Sequence, residues 1–444
     1  MMFDLVLRGG TLVSHRESVV ADIGIAEGRI QQIGDLGGAG ARREIVLEGK
    51  SILPGLIDTQ VHFREPGLEH KEDLESGSRA AVMGGVTTFF EMPNTNPVTT
   101  TEEALNDKLR RAKGRLWSNY SFFVGAGPDN VSELARLEQL PGTPGVKIFM
   151  GSSTGPLLID GDDLLEQVLA NGVRPCPIHA EDEPRLRSRK GLLTPESHVR
   201  EHPFLRDPEA ARLATERVIR LSDKTGRPVH ILHISTADEL PLLRAAKARG
   251  SKVTCEVTPQ HMTLDASMYE TLGTHLQMNP PVRDESHREA IFAAWQEGLF
   301  DVVGSDHAPH TQTEKALPYP QSPSGMPGVQ TSLPILLKHV QAGAVSLHQV
   351  VEMTSRRPAE LYGIADRGEI REGYWADLVV IDPASPFVIE KSWLQSKCGW
   401  SQFEGWTGYG KPHYVLINGC VAVDDGQLAA AGAGAPTEFL WKTT

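Results

Sequence analysis

The sequence predicts an α/β protein: a (β/α)8 barrel of the TIM type with a small β-sandwich domain built from both chain termini. Three observations predict it. Eight short apolar segments rich in β-formers alternate with helical patterns through the middle of the chain. Similar hairpin-like sequences stand at the two ends. Polar residues capable of chemistry gather where the middle segments end, as they do on the C-terminal face of a parallel barrel. The expected boundaries are 1–52 for the first part of the sandwich, 53–365 for the barrel and 366–444 for the second part. An open doubly wound sheet is the rival arrangement.

A chain of 444 residues with 40% hydrophobic and 23% charged residues can bury a sizeable core. Its 44 basic residues against 57 acidic ones give a net charge of −13, which argues against nucleic acid or an anionic membrane as the main partner. Cys176, Cys255, Cys398 and Cys420 form no CxxC pair, so a disulfide scaffold and a thiolate zinc knuckle are both disfavoured. The opening residues lack the pattern of a signal peptide, and no run reaches the ~18 apolar residues of a spanning helix. The expected compartment is the cytoplasm. A small-molecule substrate is the expected partner, and the composition is compatible with a homo-oligomer.

Near the start, Leu5-Val-Leu-Arg-Gly-Gly-Thr-Leu-Val13 puts β-formers on both sides of Gly-Gly; near the end, Tyr414-Val-Leu-Ile-Asn-Gly-Cys-Val-Ala422 puts them around Asn-Gly. Both read as hairpins. Asp22-Ile-Gly-Ile25 with Gly28-Arg-Ile30 supplies a short pair, and Ala376-Asp-Leu-Val-Val-Ile-Asp382 a further strand. The middle strands are expected at 52–62, 86–92, 120–125, 145–150, 174–179, 228–233, 252–257 and 301–306. Several are near-continuous apolar runs, the pattern of parallel strands covered on both faces. The clearest helix is Pro208–Thr225, with Asp207 to cap it, Pro208 at its first position and Gly226 just past its end. Residues 236–249 and 284–298 read similarly. The segment 311–328, rich in Pro, Ser, Gly and Gln, is expected to be an irregular, mobile lid. Ala429-Ala-Ala-Gly-Ala-Gly-Ala435 is expected to be loose.

His62, His179, His233 and Asp306 stand at four different strand ends. Three imidazoles and one carboxylate suit zinc or a similar divalent ion. Lys147 lies within an apolar strand, where an ammonium is costly to bury. Either its head snorkels to water, or its amine has reacted with CO2 to give a carbamate, an anionic oxygen ligand able to bridge two metals.

The motifs Pro54-Gly-Leu-Ile-Asp58, Val61-His-Phe-Arg-Glu-Pro-Gly67, Gly84-Gly-Val-Thr-Thr88, Met92-Pro-Asn-Thr95, Gly145-Val-Lys-Ile-Phe149, His179-Ala-Glu181, Leu232-His-Ile-Ser235, Met278-Asn-Pro-Pro281 and Ser305-Asp-His-Ala-Pro-His310 follow one another in this order. The set resembles the metal-dependent amidohydrolases, and within them the dihydroorotase family, over essentially the whole chain. The resemblance implies reversible hydrolysis of L-dihydroorotate to N-carbamoyl-L-aspartate in pyrimidine biosynthesis, with one or two Zn2+ per chain. It implies His62, Lys147 as carbamate, His179, His233 and Asp306 as the metal shell, with Asp306 also the catalytic acid–base. It further implies Arg64, Asn94 and His310 as contacts to the substrate carboxylate, and Asn279 and the backbone near Gly328 as contacts to the ring. One position departs: family members carry His-x-His on the first strand, and here the first of the two is Gln60. An amide oxygen is a weaker ligand than imidazole, so one tightly held and one weaker metal are expected. The alternatives are another cyclic amidohydrolase, of the allantoinase or hydantoinase type, and a non-catalytic relative that binds a partner protein. Allantoinases and hydantoinases share the metal shell, but their substrates do not require an Arg–Asn pair for a ring carboxylate.

Overall fold

All six residues of Leu56–Val61 are buried on both faces, as are all six of Val86–Glu91. A strand covered on both sides belongs in a parallel sheet flanked by helices, and the computed structural model, which describes residues 2–151 and 155–441, has that arrangement. Leu56–Val61 pairs in parallel with Val86–Glu91, which pairs with Asn119–Phe122. Val124–Gly125 continues beyond Phe123 and pairs with Val146–Phe149. The order then runs Cys176–His179, Val229–Ile231, Val253–Val257 and Val302–Val303, every neighbour parallel. Beyond the last strand the chain returns to the first: Val61 and His307 form a parallel bridge, and the His62 N–H donates to the His307 carbonyl at 2.7 Å.

The helices between the strands start and stop where local chemistry dictates. Pro208–Thr225 has Asp207 accepting from the Ala210 N–H and Gly226 in the left-handed conformation, φ 73°. Residues 236–249 resolve into a short 3-10 turn, Ala237–Glu239, that runs into the helix Leu240–Ala248. Asp284 caps Glu285–Gln296.

Two expectations for the termini are corrected. The segment 52–62 is not one strand: Ser51–Pro54 belongs to the terminal sheet and Leu56–Val61 to the parallel set, with Gly55 between them. A Cβ on Gly55 would lie 2.1 Å from Thr87 Oγ1, so the crossing needs glycine. The first Gly-Gly is not a hairpin turn either. Phe3–Val13 is a single strand with a bulge between Leu7 and Gly10, where Gly9 is left-handed and donates to Asp22 Oδ1 at 2.8 Å. The bulge lets this strand pair first with Ala41–Val46 and then with Ser51–Pro54. Most strands of the two termini are thereby hydrogen-bonded into one nine-stranded sheet. Leu5, Leu7, Ile23, Ile25, Leu378 and Leu416 pack together on it. The C-terminal hairpin turns at Asn418-Gly419, both with positive φ, as Asn-Gly turns require. The last three residues of the 366–444 span lie outside the described residues.

The alanine–glycine tract is not loose. Gly434 donates to the Leu116 carbonyl at 2.9 Å, the Tyr120 N–H to the Ala435 carbonyl and the Thr437 N–H to the Tyr120 carbonyl. Cβ atoms at Gly432 and Gly434 would meet backbone at 2.1 Å. The small residues serve a close approach of two backbones. Between the strands Pro386–Val388 and Thr407–Tyr409 lies a strap that crosses to the strand-end loops. Its Lys397 N–H and Ser396 hydroxyl donate to buried Glu72, Lys397 Nζ reaches the Glu69 carbonyl at 2.6 Å, and the Trp400 indole N–H donates to the His310 carbonyl at 2.8 Å.

Candidate active site

The strand ends place Gln60, His62, Arg64, Asn94, Lys147, His179, His233, Asn279 and Asp306 around one small cavity, together with Phe149, Ala308, Ser324 and Gly325. His62 follows the first strand directly, Lys147 sits within the fourth, His179 ends the fifth, and His233 and Asp306 lie just past the sixth and eighth. Arg64, His233 and Asp306 have positive φ, at 68°, 38° and 45°. Non-glycine residues pay for that conformation, and such outliers cluster at functional sites.

The donors fall into two pairs. In the first, the His179 Nε2–H donates to Glu181 at 2.7 Å, and Glu181 is held in turn by Arg206. That bond leaves the His179 Nδ1 lone pair facing His233 Nε2 at 3.0 Å. In the second, His62 Nδ1–H donates to the Asn94 amide oxygen at 2.7 Å, so its Nε2 lone pair faces Asp306 Oδ1 at 3.4 Å. A carboxylate or amide behind a histidine that presents its other nitrogen is the usual outer support of a metal ligand. Lys147 lies within electrostatic reach of both pairs: Asp306 favours its charged form, and its charge disfavours protonation of His179 and His233.

Burial decides the protonation states. It lowers the Lys147 amine to about 7, lowers His62 and His179, and drives His233 well below the usual imidazole range. Three neutral imidazoles and a partly neutral amine are electron-pair donors with little positive charge to repel a cation. Among the described residues no three His, Cys, Asp or Glu side chains alone form a tight cluster. Yet Lys147 Nζ, His233 Nδ1 and Gln60 Oε1 are buried without a hydrogen-bond partner. Two nitrogens on one tetrahedral zinc stand about 3.3 Å apart, near the separation of His179 Nδ1 and His233 Nε2. The residues present therefore fit a divalent ion.

Gln60 is turned toward the carboxylate: its Nε2 donates to Asp306 Oδ1 at 3.0 Å. Arg64 is buried, with its Nε–H donating to the Pro309 carbonyl at 3.1 Å. Burial lowers its guanidinium to about 10, still charged at neutral pH. Asn94 gives its oxygen to His62 and lines the cavity. Asn279 accepts from His202 Nε2 at 2.9 Å and borders both this cavity and an adjoining one lined by His202, Arg206 and Tyr319. Gly328 is not brought to the cavity: its N–H donates to His307 Nδ1 at 3.0 Å, behind Asp306. His310 does not itself line the cavity but touches two residues that do, its Nε2 3.4 Å from Arg64 Nη2 and 3.0 Å from the Ser324 carbonyl.

The segment 311–328 departs from the irregular loop expected of its composition. Thr311 and Glu314 form a capping box for one helical turn, Gln312–Lys315. Lys315 is buried and donates to the Gln277, Pro323 and Gly325 carbonyls. Sequence reading missed Arg206 and Lys71, which lie far along the chain from the groups they support. Glu181 was signalled by its place two residues after His179, a spacing that points both side chains of a strand end the same way.

Residues 198–422 match the Amidohydrolase family and residues 49–135 the Dihydro-orotase-like family. A dihydroorotase of Halobacterium salinarum is 36% identical over 424 residues, covering 93% of this chain and 98% of that protein. One of Methanosarcina acetivorans is 36% identical over 438 residues, covering 95% and 91%. Among solved structures, an L-hydantoinase (dihydropyrimidinase) from Arthrobacter aurescens superposes with a TM-score of 0.92 at 28% identity, covering 98% of this chain and 99% of that one. The chain belongs to the amidohydrolase family and, within it, to the dihydroorotase-like members. It is a hydrolase acting on a cyclic amide.

Proposed function

We propose that the chain hydrolyses L-dihydroorotate reversibly to N-carbamoyl-L-aspartate, a cytoplasmic step of pyrimidine biosynthesis. The observation that carries this reading is that the buried Arg64 guanidinium and Asn94 line the same cavity as the four metal-type donors. Arginine's planar fork matches a carboxylate, and a hydantoin or dihydrouracil ring offers none. In the same reading, residues 53–365 are a closed (β/α)8 barrel, and 1–52 with 366–444 form the second domain.

Lys147, His179 and His233 would hold one zinc ion, with His62 and Asp306 holding a second. The Lys147 amine, about half neutral near pH 7, would add CO2 and lose a proton, giving a carbamate whose two oxygens serve the two donor pairs. A bound divalent ion would supply an acidified water and polarise the amide carbonyl. Arg64, Asn94 and His310 fix the ring carboxylate, and Asn279 the ring edge. Asp306 takes the proton from the attacking water and delivers it to the ring nitrogen as the C–N bond breaks. In the reverse direction it removes the proton from the ureido nitrogen as that nitrogen attacks the side-chain carboxylate, and passes it to the departing oxygen, which leaves as water with a second proton taken from solvent. Turnover of the purified protein on dihydroorotate, allantoin and dihydrouracil tests the assignment. Dihydroorotate is expected to be the substrate, and preference for either carboxylate-free ring would overturn it.

Gln60 makes the two metal positions unequal. Its amide N–H is engaged by Asp306, and only a neutral oxygen is left to take the place of an imidazole. After dialysis against a mild chelator, the chain is expected to retain one tightly held metal, with a second lost or fractional. Gln60→His should raise the retained metal toward two per chain. Two ions retained by the unaltered chain would show that Gln60 does not weaken the site.

A further inference from the structure

We infer that Lys71 is a positioning residue that holds His310 in the tautomer with hydrogen on Nε2, ready for an anionic ligand group. The inference rests on the reading of Arg64 and His310 as the carboxylate end of the cavity.

Lys71 Nζ stands 3.1 Å from His310 Nδ1 and 3.0 Å from Glu314 Oε1. An ammonium has hydrogens and no lone pair, so Nδ1 is the acceptor in this contact and carries no hydrogen. Glu314 keeps the ammonium in place and is itself held by the Thr311 N–H and hydroxyl. The hydrogen of the neutral ring is then on Nε2, and it is directed to the Ser324 carbonyl at 3.0 Å. Two neighbours on opposite sides of the ring, one able only to donate and one only to accept, select the same tautomer. The neutral state is secured as well: burial and the positive charges of Arg64, Lys71 and Lys315 all disfavour protonation.

The contact of Arg64 Nη2 with the same Nε2, at 3.4 Å, then brings two N–H groups together. They cannot satisfy one another, and both are satisfied by a carboxylate oxygen placed between them. The opposite tautomer would turn a lone pair toward that oxygen and repel it. Ser324 lines the cavity, so its carbonyl holds the hydrogen at the position where the ligand would take it over.

The test is long-range 1H–15N correlation on histidine-labelled protein without ligand, with His310→Gln used to assign the His310 signals. The expected pattern is a neutral ring protonated on Nε2. Lys71→Met should shift His310 to a mixture of tautomers or to the Nδ1–H form, while Lys71→Arg, which still donates, should preserve the Nε2–H pattern. For dihydroorotate, Lys71→Met should raise KM at least tenfold with a smaller change in kcat, and Lys71→Arg should recover part of the loss. A charged or Nδ1–H ring in the unaltered protein, or an unchanged pattern in Lys71→Met, overturns the inference. The tautomer readout needs no substrate, so a wrong substrate assignment would remove the KM effect and leave the tautomer result standing in its support.

Discussion

Asp306→Asn is expected to lower turnover by roughly 10²–10⁴-fold, the usual cost of losing a positioned acid–base group. The substitution is nearly isosteric. The Gln60 amide N–H that donates to Oδ1 at 3.0 Å keeps an oxygen to bind if the new amide is oriented with its oxygen there. In the proposed reading Lys147, His179 and His233 would hold one ion without Asp306, so metal content should fall little. What should disappear is the proton transfer proposed for Asp306, from water to the ring nitrogen. Steady-state rates in both directions, with metal analysis on the same sample, provide the check. Near-normal kcat would remove Asp306 from the chemistry.

Arg64→Met is expected to weaken dihydroorotate binding by roughly 2–5 kcal/mol, the cost of stripping one partner from a buried charge pair. Its effect on a carboxylate-free dihydropyrimidine should be within a few-fold. The contrast follows from how Arg64 is held: its Nε–H is spent on the Pro309 carbonyl, which aims the rest of the fork at the cavity. Methionine keeps much of the stem's apolar bulk and removes only the charged head. Competition binding of the two ring types would read out the difference. Equal losses for both would make Arg64 a structural residue.

Much of this was legible in the sequence because the signals are local. Asp207, Pro208 and Gly226 mark both ends of one helix through side-chain and backbone chemistry that needs no distant partner. The chemistry-bearing residues stand at ends of apolar runs, and parallel pairing in chain order brings such ends to one side. What escaped depends on residues far apart in the chain. Gly9-Gly10 announces a positive φ, but whether the chain reverses or merely bulges depends on Ala41–Val46 and Ser51–Pro54 being available as partners. The alanine–glycine tract looks featureless until it is seen against Leu116–Tyr120, where its smallness is required. Lys71 gains meaning only through His310 and Glu314, and Arg206 only through Glu181. The lid-like composition of 311–328 gave no hint that Lys315 would be anchored by three carbonyls.

The strap between Pro386–Val388 and Thr407–Tyr409 has a consequence for how this molecule can diverge. It grips Glu69 and Glu72, on the loop that follows Arg64, and the backbone of His310, yet it makes none of the hydrogen bonds that support His62, His179 or His233. Part of the support beneath the loop after Arg64 and beneath His310 is thus inherited through a stretch of the gene separate from the one that carries His62, Arg64 and Asn94. Insertions, deletions or recombination within codons 390–406 would act first on the loop after Arg64 and on His310, and reach His62 only through Glu72 and His307. A lineage changing its diet of cyclic amides has in this strap a place to vary at one remove from those residues.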